Sequence, residues 1–247
     1  MSGILAIFER ELRAYFLSPL AYVVLCFLLV VNGVIFAIIL IALNDPLQPA
    51  GRPLDLFFGG TFLFWLVVMF AAPVLTMRLL AEERRSGSIE VLMTAPVSEW
   101  QVVAGKYAAA LLFYVFLWLP TLAYAGIVAY HSEIDWGVVA AGYLGVLLIG
   151  ALFLAIGLFA SAVTSNQVIA AVISFAILLT LICLTFLGYF VNNQVLKEAF
   201  AFISFPEHMS SELAKGIVDT RRVVFYLATT GFFLFLTGRA LESGKWR

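Results

Sequence analysis

Between Asp135 and Lys197 the chain carries no charged side chain. At a rise of about 1.5 Å per residue, that stretch is far too long for a single helix across a hydrocarbon core about 30 Å thick. It must hold two membrane spans. Its one polar break, Ser161-Ala162-Val163-Thr164-Ser165-Asn166-Gln167, predicts a tight turn between them. The whole chain follows suit, with 64% hydrophobic and 12% charged residues where soluble domains have about 45–50% and about 25%. A yardstick of about 20 apolar residues per helix predicts spans over 20–43, 57–80, 103–130, 137–161, 166–190 and 222–240. The fold class is therefore an all-α integral membrane protein, with one transmembrane domain over 1–247.

If both termini lie on one side, nine Lys and Arg residues share that side and five the other. The positive-inside rule then puts both termini of this multi-pass protein in the cytoplasm. Ahead of the first span, Ile4, Phe8, Leu12 and Phe16 recur at helical spacing, and Glu9 can pair with Arg13. Residues 1–18 thus predict an amphipathic helix lying at the cytoplasmic interface. Ser18-Pro19 ends it, because proline disfavours helical geometry in the residue before it. Glu9 and Glu11 beside the arginines, with no small-residue cleavage site, do not fit a removable signal, so the first span is expected to stay as an anchor. Residues 192–221 are too polar to span, yet Val195, Phe200, Phe202, Ile203 and Phe205 are too apolar for a free loop. This extracytoplasmic segment predicts one or two short interfacial helices on the outer membrane surface, broken by Pro206. It suits a gate or lid and a simple packing cap equally well.

Chemistry of the chain's own is not signalled. The net charge of −1 carries no basic footprint for nucleic acid. Cys26 and Cys183 sit in apolar runs and read as small buried side chains. His131 and His208, both expected at the outer surface, have no ligand partner at metal spacing. Neither Gly105-Lys106 nor Gly244-Lys245 completes the phosphate-binding GxxxxGK-S/T pattern, so no cofactor and no ATP hydrolysis are expected in this chain. No charge lies mid-span, and Asn32, Thr61, Thr76, Thr121, Ser174, Thr180 and Thr185 suit helix packing better than an ion path. In the fourth span Gly142, Gly145, Gly150 and Gly157 would permit close helix approach, within the bundle or between copies.

The exception to this apolar monotony is the polar island Ala81 to Pro96. Arg78 to Arg85 should carry the second span beyond the membrane, and Gly87 is suited to stop it. Ile89-Glu90-Val91-Leu92-Met93 can form a short apolar helix ended near Pro96, and Ser98-Glu99-Trp100-Gln101 reads as a capping box that starts the third span. Residues 81–102 thus form a cytoplasmic coupling region shaped to enter a cleft on another protein. A solvated loop would have no need of Ile89, Val91, Leu92 and Met93 in water.

Glu82-Glu83-Arg84-Arg85-Ser86-Gly87-Ser88-Ile89-Glu90, with Thr94-Ala95-Pro96-Val97-Ser98 and Gly105-Lys106, resembles the cytoplasmic motif of type-2 ABC transporter permeases. Glu207-His208, Lys215-Gly216-Ile217-Val218-Asp219 and Val224-Phe225-Tyr226 are similar to the gliding-motility-type (GldF-like) branch, although Arg222 stands where that branch suggests an acidic residue. The resemblance implies the membrane subunit of an ATP-driven exporter, paired with a second permease copy or a homologous permease. It implies a cytoplasmic ATP-binding subunit, which would hold ATP and Mg, and an auxiliary membrane protein with an extracytoplasmic domain. It further implies Glu82, Glu83, Arg84 and Arg85 as polar clamps on that subunit, Gly87 as the break, and Ile89, Glu90, Leu92 and Met93 as the inserted surface. A secondary transporter and a non-transporting membrane scaffold are the competing readings.

Overall fold

The computed structural model describes residues 3–44, 53–59, 61–87, 98–187 and 193–244, and every regular element among them is helical. Helix α1 (Gly3–Leu17) precedes the first span, α2 (Pro19–Leu43), and Pro19 opens α2 where its missing N–H costs nothing. A one-turn helix, α3 (Pro53–Phe57), leads to α4 (Phe62–Thr76), which continues through a turn at 77–80 into α5 (Ala81–Ser86). The third span is α6 (Glu99–Trp118) and α7 (Leu122–His131), joined by one 3-10 turn at Leu119–Thr121. Pro120 explains that turn, since it cannot donate to the helical ladder. The fourth and fifth spans are α8 (Trp136–Val163) and α9 (Gln167–Leu187), and α10 (Gln194–Ile203) lies beyond them. A second short helix, α11 (Phe205–Glu207), runs into a π turn and a 3-10 turn before the sixth span, α12 (Thr220–Gly244).

Among the described residues, six helices are thus long and apolar enough to cross a membrane. The expected turn between the fourth and fifth spans falls at 164–166, where the Asn166 side chain accepts from the Val168 N–H at 2.9 Å. The second span begins at Phe62 rather than at 57, because the chain turns at Gly59, whose φ of +109° suits only glycine. The sixth span starts at Thr220 and runs on to Gly244, and residues 188–190 of the fifth lie outside the described residues.

Helix α8 is the axis of the bundle. Its most apolar stretch is 78% buried inside the chain, against 28%, 28% and 22% for α2, α9 and α12, which therefore form the periphery. The glycines of α8 are spent inside this chain. A Cβ on Gly150 would stand 2.2 Å from the Tyr114 ring, and one on Gly157 would stand 2.1 Å from Thr76 Oγ1. Gly142 and Gly145 receive Phe58 and Met209 in the same way. Of the seven polar residues expected to pack, Asn32, Thr76, Thr121, Thr180 and Thr185 donate to carbonyls three or four residues earlier, whereas the buried hydroxyls of Thr61 and Ser174 have no hydrogen-bond partner among the described residues. The cysteines depart from expectation: Cys26 and Cys183 are both exposed on the peripheral helices.

Both described termini lie at one end of the bundle, the terminus end; the connections at 53–59, 132–135 and 193–219 make up the far end. There the segment before the sixth span holds the two short helices expected, α10 and α11, and its second half packs on the bundle. The break falls at Ser204, whose hydroxyl accepts from the Glu207 N–H, and Pro206 sits inside the first turn of α11 instead of ending a helix. Phe205, His208, Met209, Leu213 and Ala214 are buried against the bundle. His208, expected at the surface, is fully buried: its Nε2 donates to the Ala201 carbonyl and its Nδ1 accepts from the Tyr226 hydroxyl, both at 3.1 Å. A carbonyl can only accept, and this fixes the tautomer.

Candidate partner-docking site

At the terminus end, charged residues of α1, α5 and α6 meet in one network. At the end of α4 the Ser161 hydroxyl accepts from the N–H groups of Leu80 and Ala81, at 3.1 and 3.0 Å, and donates to the Met77 carbonyl at 3.0 Å. One side chain of the fourth span thereby satisfies the backbone groups freed where α4 gives way to α5. Gly87 ends α5 with φ +72°, the left-handed cap that the sequence predicts. Past residues 88–97, Ser98 and Gln101 form the expected capping box, with the Gln101 side chain accepting from the Ser98 N–H at 3.1 Å.

Lys106, about two turns into the third span, is 1% exposed. Its Nζ lies 2.9 Å from Glu11 Oε1 and 2.8 Å from Glu83 Oε1, and Arg10 reaches the same two carboxylates at 2.7 and 2.8 Å. Three elements, α1, α5 and α6, are tied together by one ion network. Close approach of α1 depends on Gly105, where a Cβ would meet Ile7 at 3.0 Å and the Ile4 carbonyl at 3.1 Å. Burial works against the Glu11 carboxylate, but the Lys106 ammonium and then Arg10 outweigh it and hold its pKa below the ordinary value. Arg78 secures the start of α2 by donating to Ser18 Oγ at 3.0 Å, and Tyr15 donates to the Leu75 carbonyl at 2.6 Å. A cleft of about 560 Å³ opens between α1 and α5, lined by Arg10, Glu11, Arg78, Glu82, Glu83 and Lys106 among others.

The expected docking residues therefore divide. Glu83 joins the network, Arg84 Nη2 donates to the Ala240 carbonyl at 3.2 Å, and Glu82, Arg85 and Gly87 are exposed. Ile89, Glu90, Leu92 and Met93 lie outside the described residues. Arg10, Glu11, Ser161 and the burial of Lys106 were not legible as parts of the site. The one local signal was Gly105-Lys106, already part of the motif that the resemblance rests on.

Helices this long and apolar define a multi-pass membrane protein. The profile of ABC-2 family transporter proteins matches residues 53–236, about three quarters of the chain, and the chain belongs to that family. No curated protein matches it significantly. Membership makes this chain the membrane component and not the ATPase, and implies a cytoplasmic ATP-binding partner.

Proposed function

We propose that the chain is the membrane subunit of an ATP-driven exporter and that residues 81–102 are the point at which the ATP-binding subunit docks. The observation that carries this reading is the buried Lys106, bridging Glu11 and Glu83. An ammonium withdrawn from water costs several kcal/mol unless it is paired with good geometry. Here that cost supports a rigid tie between α5 and α6, the two helices that flank residues 88–97, where an ordinary solvated loop would need none. Glu82 and Arg85 are exposed clamps beside it; Ile89, Glu90, Leu92 and Met93 would enter the partner's cleft, with ATP and Mg held in the partner. The assembly would contain a second copy or a homologous permease, since ATP-binding subunits close as a pair. Membership of the gliding-motility-type branch, with an auxiliary extracytoplasmic partner, rests on the Ser204 to Leu236 resemblance. Both termini would face the cytoplasm of a bacterial inner membrane.

The test is purification of the full chain from its native membrane in mild detergent, with mass spectrometry and a vanadate-sensitive ATPase assay of the eluate. A stoichiometric ATP-binding subunit, lost with Leu92→Asp or Glu90→Lys, is the expected result. A secondary transporter or scaffold would purify without one.

A further inference from the structure

The cleft between α1 and α5 holds an ion network that closes on itself and two opposite charges that do not. Glu11 and Glu83 are both taken up by Lys106 and Arg10. Arg78 and Glu82, which line the same cleft, are left over. The Glu82 N–H donates to the Arg78 carbonyl at 3.4 Å, so the two residues stand one α-helical turn apart. Opposite charges at that spacing are placed to pair on a helix surface, yet these do not. The Arg78 guanidinium turns instead to α1, donating to Ser18 Oγ at 3.0 Å and to the Ala14 carbonyl at 3.5 Å, and it lies 5.7 Å from the Tyr15 ring centroid. Among the described residues it meets no carboxylate, and the exposed Glu82 side chain meets no cation. Lys106 also lines the cleft, and its two ion pairs use two of its three N–H donors.

The depth of the cleft follows from the spans it joins. Its lining includes Leu17, Ser18 and Pro19, where the first span begins, and Arg78 and Leu79, just past the apolar run of α4. That is the level of the headgroup layer, which flanks a hydrocarbon core about 30 Å thick. Leu17 is 83% exposed at the rim, an apolar side chain suited to lipid and not to water, and α2 beyond it exposes Tyr22, Val23 and Phe27. From this juxtaposition we infer that the cleft binds a zwitterionic, amine-bearing phospholipid of the terminus-end leaflet, with its phosphate on Arg78 and its ammonium on Glu82. A guanidinium donates charge-assisted bonds to phosphate oxygens, and a carboxylate accepts them from an ammonium. An anionic headgroup without an amine would leave Glu82 uncompensated and set a like charge beside it, so the site selects against such a lipid. The volume of about 560 Å³ falls in the range of about 300–1,000 Å³ usual for small-molecule sites. The inference does not rest on the docking reading. A carboxylate has two oxygens, so Glu82 can meet the ammonium on one and a docked subunit on the other.

The experiment takes the full chain into mixed micelles with equal amounts of phosphatidylethanolamine and phosphatidylglycerol and counts the retained lipids by native mass spectrometry. Wild type should prefer phosphatidylethanolamine about tenfold, the scale of one charge-assisted bond. Arg78→Gln should lower retention of both lipids. Glu82→Gln should keep the total and lose the preference, and because Glu82 is exposed this variant tests the site whether or not Arg78→Gln folds. Arg85→Gln, which does not line the cleft, should behave as wild type. Equal retention of the two lipids by wild type overturns the inference, as does a preference that survives Glu82→Gln. Equimolar O-phosphoethanolamine, the headgroup without its chains, should leave the lipid bound; displacement by it would overturn the lipid as occupant.

Discussion

At the scale of single residues the buried Lys106 is the most consequential side chain. Lys106→Met keeps the stem and removes the charge, leaving Glu11 and Glu83 to share Arg10. Removing one partner of a buried pair costs about 3–5 kcal/mol. The loss should fall at the lower end, because Arg10 already touches both carboxylates. Arg239→Ala breaks an exposed pair with Glu242, and should cost no more than about 1 kcal/mol. Denaturant titration of both variants in micelles, with protease protection of α1 as a second readout, makes the comparison; equal losses would mean that the network does not hold α1. The Glu11 pKa is lowered, so its contribution is complete above the ordinary glutamate pKa and vanishes only as pH falls through the lowered one. None of this was legible locally. Lys106 reads in sequence as a charge near the end of a span, and its carboxylate partners lie 95 and 23 residues away.

At the scale of elements, what the sequence shows best is whatever is decided within a few residues. The Ser98–Gln101 box, the Gly87 cap and the turn at 164–166 each depend on one side chain and the backbone beside it, and each stands as read. How the far-end segment packs was not legible, because residues 205–216 are seated by Gly145 and Val138 of a distant helix, which receive Met209, Leu213 and Gly216. For α8 the prediction is a contrast. Gly150→Ala would drive a Cβ into the Tyr114 ring, costing about 1–3 kcal/mol. Gly126→Ala meets nothing within 4 Å, and should gain about 0.5–1 kcal/mol from the helix. Thermal unfolding in detergent distinguishes them, and a shared sign would refute the packing described for α8. The far-end segment should also respond to acid. Burial first, and then the charge of Arg222, push the His208 pKa down to about 4, against the support of Glu212 and the Ala201 carbonyl. The unfolded segment therefore binds a proton that the folded one refuses. Stability should decline as pH falls from the ordinary value of 6.5 to about 4, then level off. His208→Gln keeps a donor to Ala201 and should flatten that profile; an unaltered pH dependence would assign it to another group.

For the whole molecule, the number of spans was legible because the cost of burying charge in lipid dominates every other term, whereas the order of packing was not. Hydropathy does not distinguish the central α8 from the peripheral α2, since both are almost wholly apolar; the one hint is the run of glycines in α8. Cys26 and Cys183 illustrate the same blindness: an apolar neighbourhood in sequence says nothing of whether a side chain faces protein or lipid. Orientation is the property on which the functional reading turns. Nine Lys and Arg residues against five favour cytoplasmic termini, and one of the five, Arg222, is held by Glu212 against the far-end segment. An even number of spans puts both termini on one side, together with the mouth of segment 88–97. Fusions at the C-terminus test this directly. Alkaline phosphatase there should be inactive and a fluorescent protein bright, while phosphatase inserted after Ser132, in the exposed connection between the third and fourth spans, should be active. The opposite pattern would turn segment 88–97 away from the compartment that holds ATP, and the docking assignment could not survive it.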